Sequence, residues 1–131
     1  MMKQNIYLDT HVVVWLYEGH INKISTEARQ ILDNPDYMLY ISPMVVLELQ
    51  YLCEINKITV PYQNILGELQ TQLSLATCNL AFAPIAALAT QYHWTRDPFD
   101  RLITANTAAN NGLLITKDDT IRQHFPDTIW D

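Results

Sequence analysis

Apolar and polar positions along this chain alternate between short unbroken apolar runs and longer stretches of helical period. "NIYLD" predicts a short buried strand over Ile6 to Leu8, and Thr10 to Tyr17 follow as a helix entered through an acid, Asp9. "YMLYIS" is a second strand, after which Pro43, lacking an N–H, suits the first turn of a helix reaching Ile55. The pattern then predicts helices over Tyr62 to Leu75 and Ile85 to Gln91, with a brief extended piece near Ala81 between them. Pro98 to Asn110 reads as a further helix closed by Asn111 and Gly112 as a left-handed cap. "LLIT", Leu113 to Thr116, predicts a strand, "DDTIRQHF" a short helix and "TIW" a last edge strand. Strands alternating with helices predict an α/β sandwich with a small central parallel sheet, where ligands bind beyond the carboxyl ends of the strands.

Composition narrows the picture. A length of 131 residues suits a single domain spanning 1–131, and 49% hydrophobic with 17% charged residues is the balance of a globular protein with a real core. The longest apolar run, Leu80 to Ala89, contains Pro84 and is well short of the roughly 20 residues needed to span a bilayer. The N-terminal "MMKQNIYLDTH" has no long apolar stretch and no small-residue cleavage site, which predicts a cytoplasmic protein with no membrane association. Cys53 and Cys78 stand apart without metal-ligand spacing, so neither a zinc site nor a disulfide framework is signalled. A net charge of −6 argues against a broad basic surface for nucleic acid but leaves room for a local basic rim. With only three glycines, neither a dinucleotide fingerprint nor a phosphate-cradling loop can be written in the chain.

The carboxylates carry the chemistry. Asp9 and Asp118 each stand where an apolar strand gives way to a helix, and each taken alone reads as a helix N-cap. Glu48 is different. Its helical neighbours are Met44, Val45, Tyr51 and Leu52, with Ile55 further along, so it points from the apolar face while Gln50 and Glu54 take the wet side. A carboxylate facing inward needs a cation, hydrogen-bond donors or a cleft; a buried arginine and a metal site both satisfy that need. In "RDPFDRLITA", Asp97 caps a helix and Pro98 takes its first position, whereas Asp100 heads a polar stripe with Thr104, Thr107 and Asn111, opposite Phe99, Leu102 and Ile103. That stripe is either solvated or faces one crevice together with Asp9, Glu48 and Asp118. In the second case the four acids repel one another unless a divalent cation neutralises them. Oxygen-only ligation suits Mg²⁺ or Mn²⁺, and the implied reaction is hydrolysis of a phosphodiester.

"YLDTHVVVWL", "SPMVVLELQ", "RDPFDRLITA" and "LLITKDD", in this order over nearly the whole chain, resemble the PIN-domain ribonucleases, specifically the VapC toxins of bacterial toxin–antitoxin pairs. The resemblance implies catalytic and metal-binding roles for Asp9, Glu48, Asp100 and Asp118, with Asp97 as the cap that aims Asp100 and a secondary metal contact. It also implies Mg²⁺- or Mn²⁺-dependent endoribonuclease activity, a homodimer, and a cognate VapB-type antitoxin whose tail covers the active site. Thr10 and Thr116 are expected to hydrogen-bond the carboxylates. Asp119 is the rival of Asp118, which is preferred because it follows Thr116 by two residues. In the wider superfamily a small Ser or Asn often stands two residues after the first acid; here it is His11, which is open to a metal-water contact, a phosphate contact or a plain place on the helix surface. Arg96, Arg101 and Lys117 flank the expected ligands and are candidates for RNA phosphate contacts. Trp15, within "VVVWLY", is read as core, and Trp94 as packing in preference to base stacking. Two rival readings stand: a PIN fold that binds RNA or protein without cutting, and a metal-dependent nuclease acting on DNA.

Overall fold

The computed structural model describes residues 4–131, so that Met1 to Lys3 of the N-terminal stretch lie outside the described residues. Five parallel strands, β1 (Gln4–Leu8), β2 (Tyr37–Ile41), β3 (Ala76–Thr77), β4 (Leu113–Ile115) and β5 (Thr128–Ile129), lie in the order β3-β2-β1-β4-β5. The helices are α1 (Thr10–Glu18), α2 (Thr26–Leu32), α3 (Pro43–Glu54), α4 (Tyr62–Leu73), α5 (Phe82–Ala89), α6 (Pro98–Ala109) and α7 (Asp119–His124). This is the expected α/β arrangement of a parallel sheet flanked by helices. From β1 the chain builds outward to β2 and β3, then crosses to β4 on the other side of β1 and continues to β5. The switch in direction falls between β1 and β4, and the connections leaving their carboxyl ends diverge there to open a crevice. No helix among the described residues is long and apolar enough to cross a membrane.

The strands that frame the crevice are apolar on both faces, as a sheet covered by helices requires. Ile6, Tyr7, Leu8, Leu114 and Ile115 are fully buried, packed with Val12 and Val13 of α1, Val45 and Leu49 of α3, Ile65 and Leu69 of α4, and Ile103 of α6. Each such side chain contributes about 1.5–3 kcal/mol by leaving water. The far end of α6 closes as expected. Asn111 takes a left-handed φ of 51°, its N–H donates to the Ala108 carbonyl (3.1 Å), and that of Gly112 donates to the Thr107 carbonyl (2.9 Å).

Two local expectations differ from the structure, and one helix had none. The second edge strand lies at Ala76–Thr77 rather than near Ala81, because its two exposed residues are extended by pairing with Tyr40 and Ile41 and not by any apolar pattern of their own. Helix α5 starts at Phe82, ahead of the expected Ile85; Pro84 falls in its first turn, where a missing N–H costs nothing. Helix α2 has no counterpart in the pattern reading: only Ala28 and Leu32, one turn apart, are buried along it, although Ser25 caps it by accepting from the Ala28 N–H.

Candidate active site

Asp9 leaves β1 at the crevice and is almost wholly buried. Its Oδ1 accepts from the Thr10 N–H at 2.8 Å, the capping role, and its Oδ2 accepts from the Thr116 hydroxyl at 2.6 Å. The Asp9 N–H donates to the Ile115 carbonyl (3.1 Å), so the ends of β1 and β4 are joined through both backbone and side chain. Asp118 caps α7 by accepting from the Ile121 N–H at 2.9 Å, while its own N–H donates to the Thr116 hydroxyl at 3.1 Å. One threonine thereby orients both aspartates. The Thr10 hydroxyl donates to Glu48 Oε1, which ties the middle of α3 to the start of α1. Asp97 caps α6 by accepting from the N–H groups of Phe99 (2.8 Å) and Asp100 (3.3 Å), and Asp100 stands in the first turn without a hydrogen bond or ion pair to its carboxylate among the described residues.

These five acids line a single cleft of about 370 Å³ at the carboxyl edge of the sheet, together with His11, Val12, Trp15 and Lys117. Burial pushes the Asp9 carboxyl above its ordinary range, against the lowering effect of its Thr116 and Thr10 hydrogen bonds. Glu48 is raised mainly by burial, then by the charges of Asp9 and Asp97, with the Thr10 bond opposing. Asp100 is pushed up to about 7 by burial and then by Asp97, Asp9, Asp118 and Glu48. Lys117 and His11 offset the negative charge of the cleft only in part. Among the described residues the ion pairs are His20 with Glu18 and Arg122 with Asp119, and none involves these five acids. Asp119 is thus turned to the surface, and Glu48 is met by a threonine hydroxyl in place of a buried arginine.

The donor set fits a hard divalent cation. All five acids offer oxygen, and Mg²⁺ uses one or two direct carboxylates while retaining several waters. No three acid, histidine or cysteine side chains among the described residues are drawn tightly enough together to ligate one ion as a group. A hydrated cation on a shared acidic wall does not need such a cage.

The remaining candidates are placed unevenly. Lys117 lines the cleft, Arg96 is exposed beside Asp97, and Arg101 lines a separate apolar pocket with its Nε donating to the Thr95 carbonyl at 2.8 Å. His11, exposed on α1, also lines the cleft. Trp94 stacks on His124 with ring centres 5.3 Å apart, consistent with the packing role expected of it. Trp15 holds its expected place only in part: it is half-buried against the core and also forms cleft wall, one turn after His11. The helix faces differ as well. Tyr51 and Ile55, expected beside Glu48 on the apolar face, are 47% and 41% exposed, and Val45 and Leu49 form the buried stripe with Glu48 at its border. Thr104 and Thr107, expected on a polar stripe, are fully buried; the Thr107 hydroxyl is satisfied by the Ile103 carbonyl at 2.9 Å.

Comparison with known proteins places this geometry. None of the curated proteins matches the chain. The fold is similar to a chain of the VapBC2 complex of Rickettsia felis, solved bound to a DNA fragment from its promoter, with TM-score 0.65 and 22% identity over 98% of this chain and 100% of that one. It is also similar to a chain of VapBC-1 from nontypeable Haemophilus influenzae (TM-score 0.64, 17% identity, 98% and 97% covered). A domain of a functionally unknown protein from Methanocaldococcus jannaschii shares it at TM-score 0.59 and 17% identity, over 98% of this chain and 91% of that one. The model of the PIN domain matches residues 6–124, from the first buried residue of β1 to the end of α7. With that match spanning every element that shapes the acidic cleft, the chain belongs to the PIN domain family.

Proposed function

We propose that this protein is a Mg²⁺- or Mn²⁺-dependent endoribonuclease acting as the toxin of a VapBC-type pair, with residues 1–131 as a single PIN domain. The observation that carries this reading is the gathering of Asp9, Glu48, Asp100 and Asp118 on one cleft with no ion pair to any of them among the described residues. Such a site is stable with all four groups ionised only when a divalent cation joins them. These four would hold it. When bound, the cation supplies positive charge to the phosphodiester and renders water acidic enough to act as nucleophile.

The chain's own groups prepare the site. Thr116 and the Thr10 N–H fix both oxygens of Asp9, the Thr10 hydroxyl fixes Glu48, and Asp97 holds the α6 terminus that presents Asp100. Lys117, at the cleft edge, and the exposed Arg96 supply phosphate contacts to an otherwise acidic surface; Arg101, tied to the Thr95 carbonyl beside a different pocket, is left out of that set. The choice of RNA rests on the motif resemblance to VapC toxins. A VapB-type antitoxin partner rests on that resemblance and on the likeness to two VapBC chains, and a homodimer on the resemblance alone; a cytoplasmic setting goes with the ribonuclease reading.

The test is incubation of the purified protein with total RNA and with DNA, in Mg²⁺, Mn²⁺ and EDTA. RNA is cut in either metal and not in EDTA, and Asp9→Asn, Glu48→Gln, Asp100→Asn and Asp118→Asn each lower cutting by about a hundredfold or more while circular dichroism is unchanged. RNA bound but uncut by the wild type in both metals, or DNA cut as readily as RNA, contradicts the proposal.

A further inference from the structure

His11 and Trp15 line two cavities at once. On one side is the carboxylate cleft; on the other is a recess of about 410 Å³ whose walls include Leu52, Ile55, Ile58 and Lys57. The end of α3 builds that far wall. Asn56 adopts a left-handed φ of 62°, and the Lys57 N–H turns back to donate to the Leu52 carbonyl at 2.8 Å, which folds Lys57 and Ile58 over the helix terminus. Ile55 stays 41% exposed at the mouth, an apolar side chain left open to water. The Trp15 indole is braced by Trp130, with ring centres 6.3 Å apart, and the Lys117 ammonium stands 6.0 Å from its ring centre.

Charge divides the two cavities. The cleft is lined by five carboxylates, whereas the recess carries one lysine, Lys57, and one acid, Glu18, the latter 3.7 Å from His20. An apolar, aromatic-walled recess without net charge suits a flat neutral ring, and the cleft beside it, loaded with a cation, suits a phosphate. A nucleotide consists of these two parts covalently joined. Single-stranded nucleic acid is held elsewhere by the same pairing of an aromatic platform with a lysine or arginine at the backbone.

We propose that the recess between Trp15 and the end of α3 binds an unpaired nucleobase of the RNA, adjacent to the phosphate held in the carboxylate cleft, with Trp15 as stacking surface and Lys117 at the intervening backbone. This site rests on the ribonuclease reading above. A single-stranded RNA is favoured over an apolar protein segment because the recess and the cleft share His11 and Trp15 as walls, so whatever fills the recess is placed beside the phosphate in the cleft.

The experiment measures binding of a short fluorescent single-stranded oligoribonucleotide by anisotropy, with Ca²⁺ as the cation so that binding is read apart from cutting. A matched oligoribonucleotide lacking the base at one position is the control. Trp15→Ala weakens binding of the intact strand about tenfold or more, Trp15→Phe keeps most of it, and both bind the abasic strand as the wild type does. Ile55→Ala, at an exposed position whose truncation leaves the fold in place, weakens only the intact strand. Equal binding of the intact strand by wild type, Trp15→Ala and Ile55→Ala overturns the site, as does an equal loss on both strands, or a loss of antitoxin binding with RNA affinity unchanged. Cutting in Mn²⁺ is scored separately. A wild type that cuts RNA but binds it independently of Trp15 refutes the base site alone; one that never cuts but shows the Trp15-dependent difference refutes the ribonuclease reading alone.

Discussion

The Thr116 hydroxyl accepts from the Asp118 N–H and donates to Asp9 Oδ2, so one side chain sets the separation of two proposed ligands that follow neighbouring strands. Thr116→Val preserves shape and removes both bonds. The expected result is about 1–3 kcal/mol lost in denaturant unfolding and a tenfold to hundredfold weaker Mn²⁺ affinity by calorimetry, with roughly full recovery in Thr116→Ser. Unchanged Mn²⁺ affinity in the valine variant would remove Thr116 from the site. The two aspartates at the head of α6 divide differently. Asp97→Ser retains most RNA cleavage because serine caps equally well, and Asp100→Ser loses it because a hydroxyl does not replace a charged ligand; cleavage assays showing equal losses contradict that division. At this scale the acids were legible because Asp9, Asp100 and Asp118 stand at a strand end or helix start and Glu48 lies between apolar neighbours in the middle of α3. Trp15 was legible only in part. A tryptophan in an apolar helix reads as core, against which it does pack, and only the third dimension shows that it also forms cleft wall.

Between elements, close approach decides what the pattern leaves open. A Cβ at Gly112 would stand 2.9 Å from Tyr7 Cδ1 and 3.2 Å from the Asn5 carbonyl, so the turn from α6 into β4 presses on a ring that cannot give way. Tyr7 is fully buried, stacked on Tyr40 at 5.5 Å and held at its hydroxyl by Asn110 at 2.8 Å. Gly112→Ala is therefore expected to cost about 1–3 kcal/mol in denaturant unfolding although the backbone there has no positive φ, and a neutral substitution would show that the β1–α6 contact is loose. The inward face of α6 explains the main error of pattern reading. Thr107 bonds to the carbonyl one turn back and so enters the core without a partner from elsewhere, whereas periodicity assigns every threonine to the wet side. Strand β3 was misplaced and helix α2 missed for the opposite reason. Each is too short to carry a period, and neighbours supply the order that the local sequence does not.

For the molecule as a whole, the acidic cleft sets a balance between protons and cations. Without metal, the folded protein holds a proton on Asp100 up to about pH 7, while the unfolded chain releases it near the ordinary carboxylate value; Asp9 and Glu48 are raised in the same direction. The folded state then binds more protons than the unfolded state between those limits, so these groups make stability fall as pH rises from about 4 to about 7. A divalent cation held at the proposed site would reverse the disadvantage by binding only the folded state, most effectively where protons compete least. The parallel sheet flanked by helices was legible as alternating strands and helices, but the strand order that opens the cleft and the placing of the acids of α3 and α6 on one wall were settled only by packing. The most direct measurement is thermal unfolding of the wild type and Asp100→Asn, with and without Mn²⁺, at mildly acidic and at neutral pH. The account predicts that Mn²⁺ raises the wild-type unfolding temperature, more at neutral pH, and that metal-free Asp100→Asn is at least as stable as the wild type and gains little from the ion. A wild type indifferent to Mn²⁺ at both pH values, or a metal-free variant markedly less stable than the wild type, would mean that these carboxylates form no common cation site.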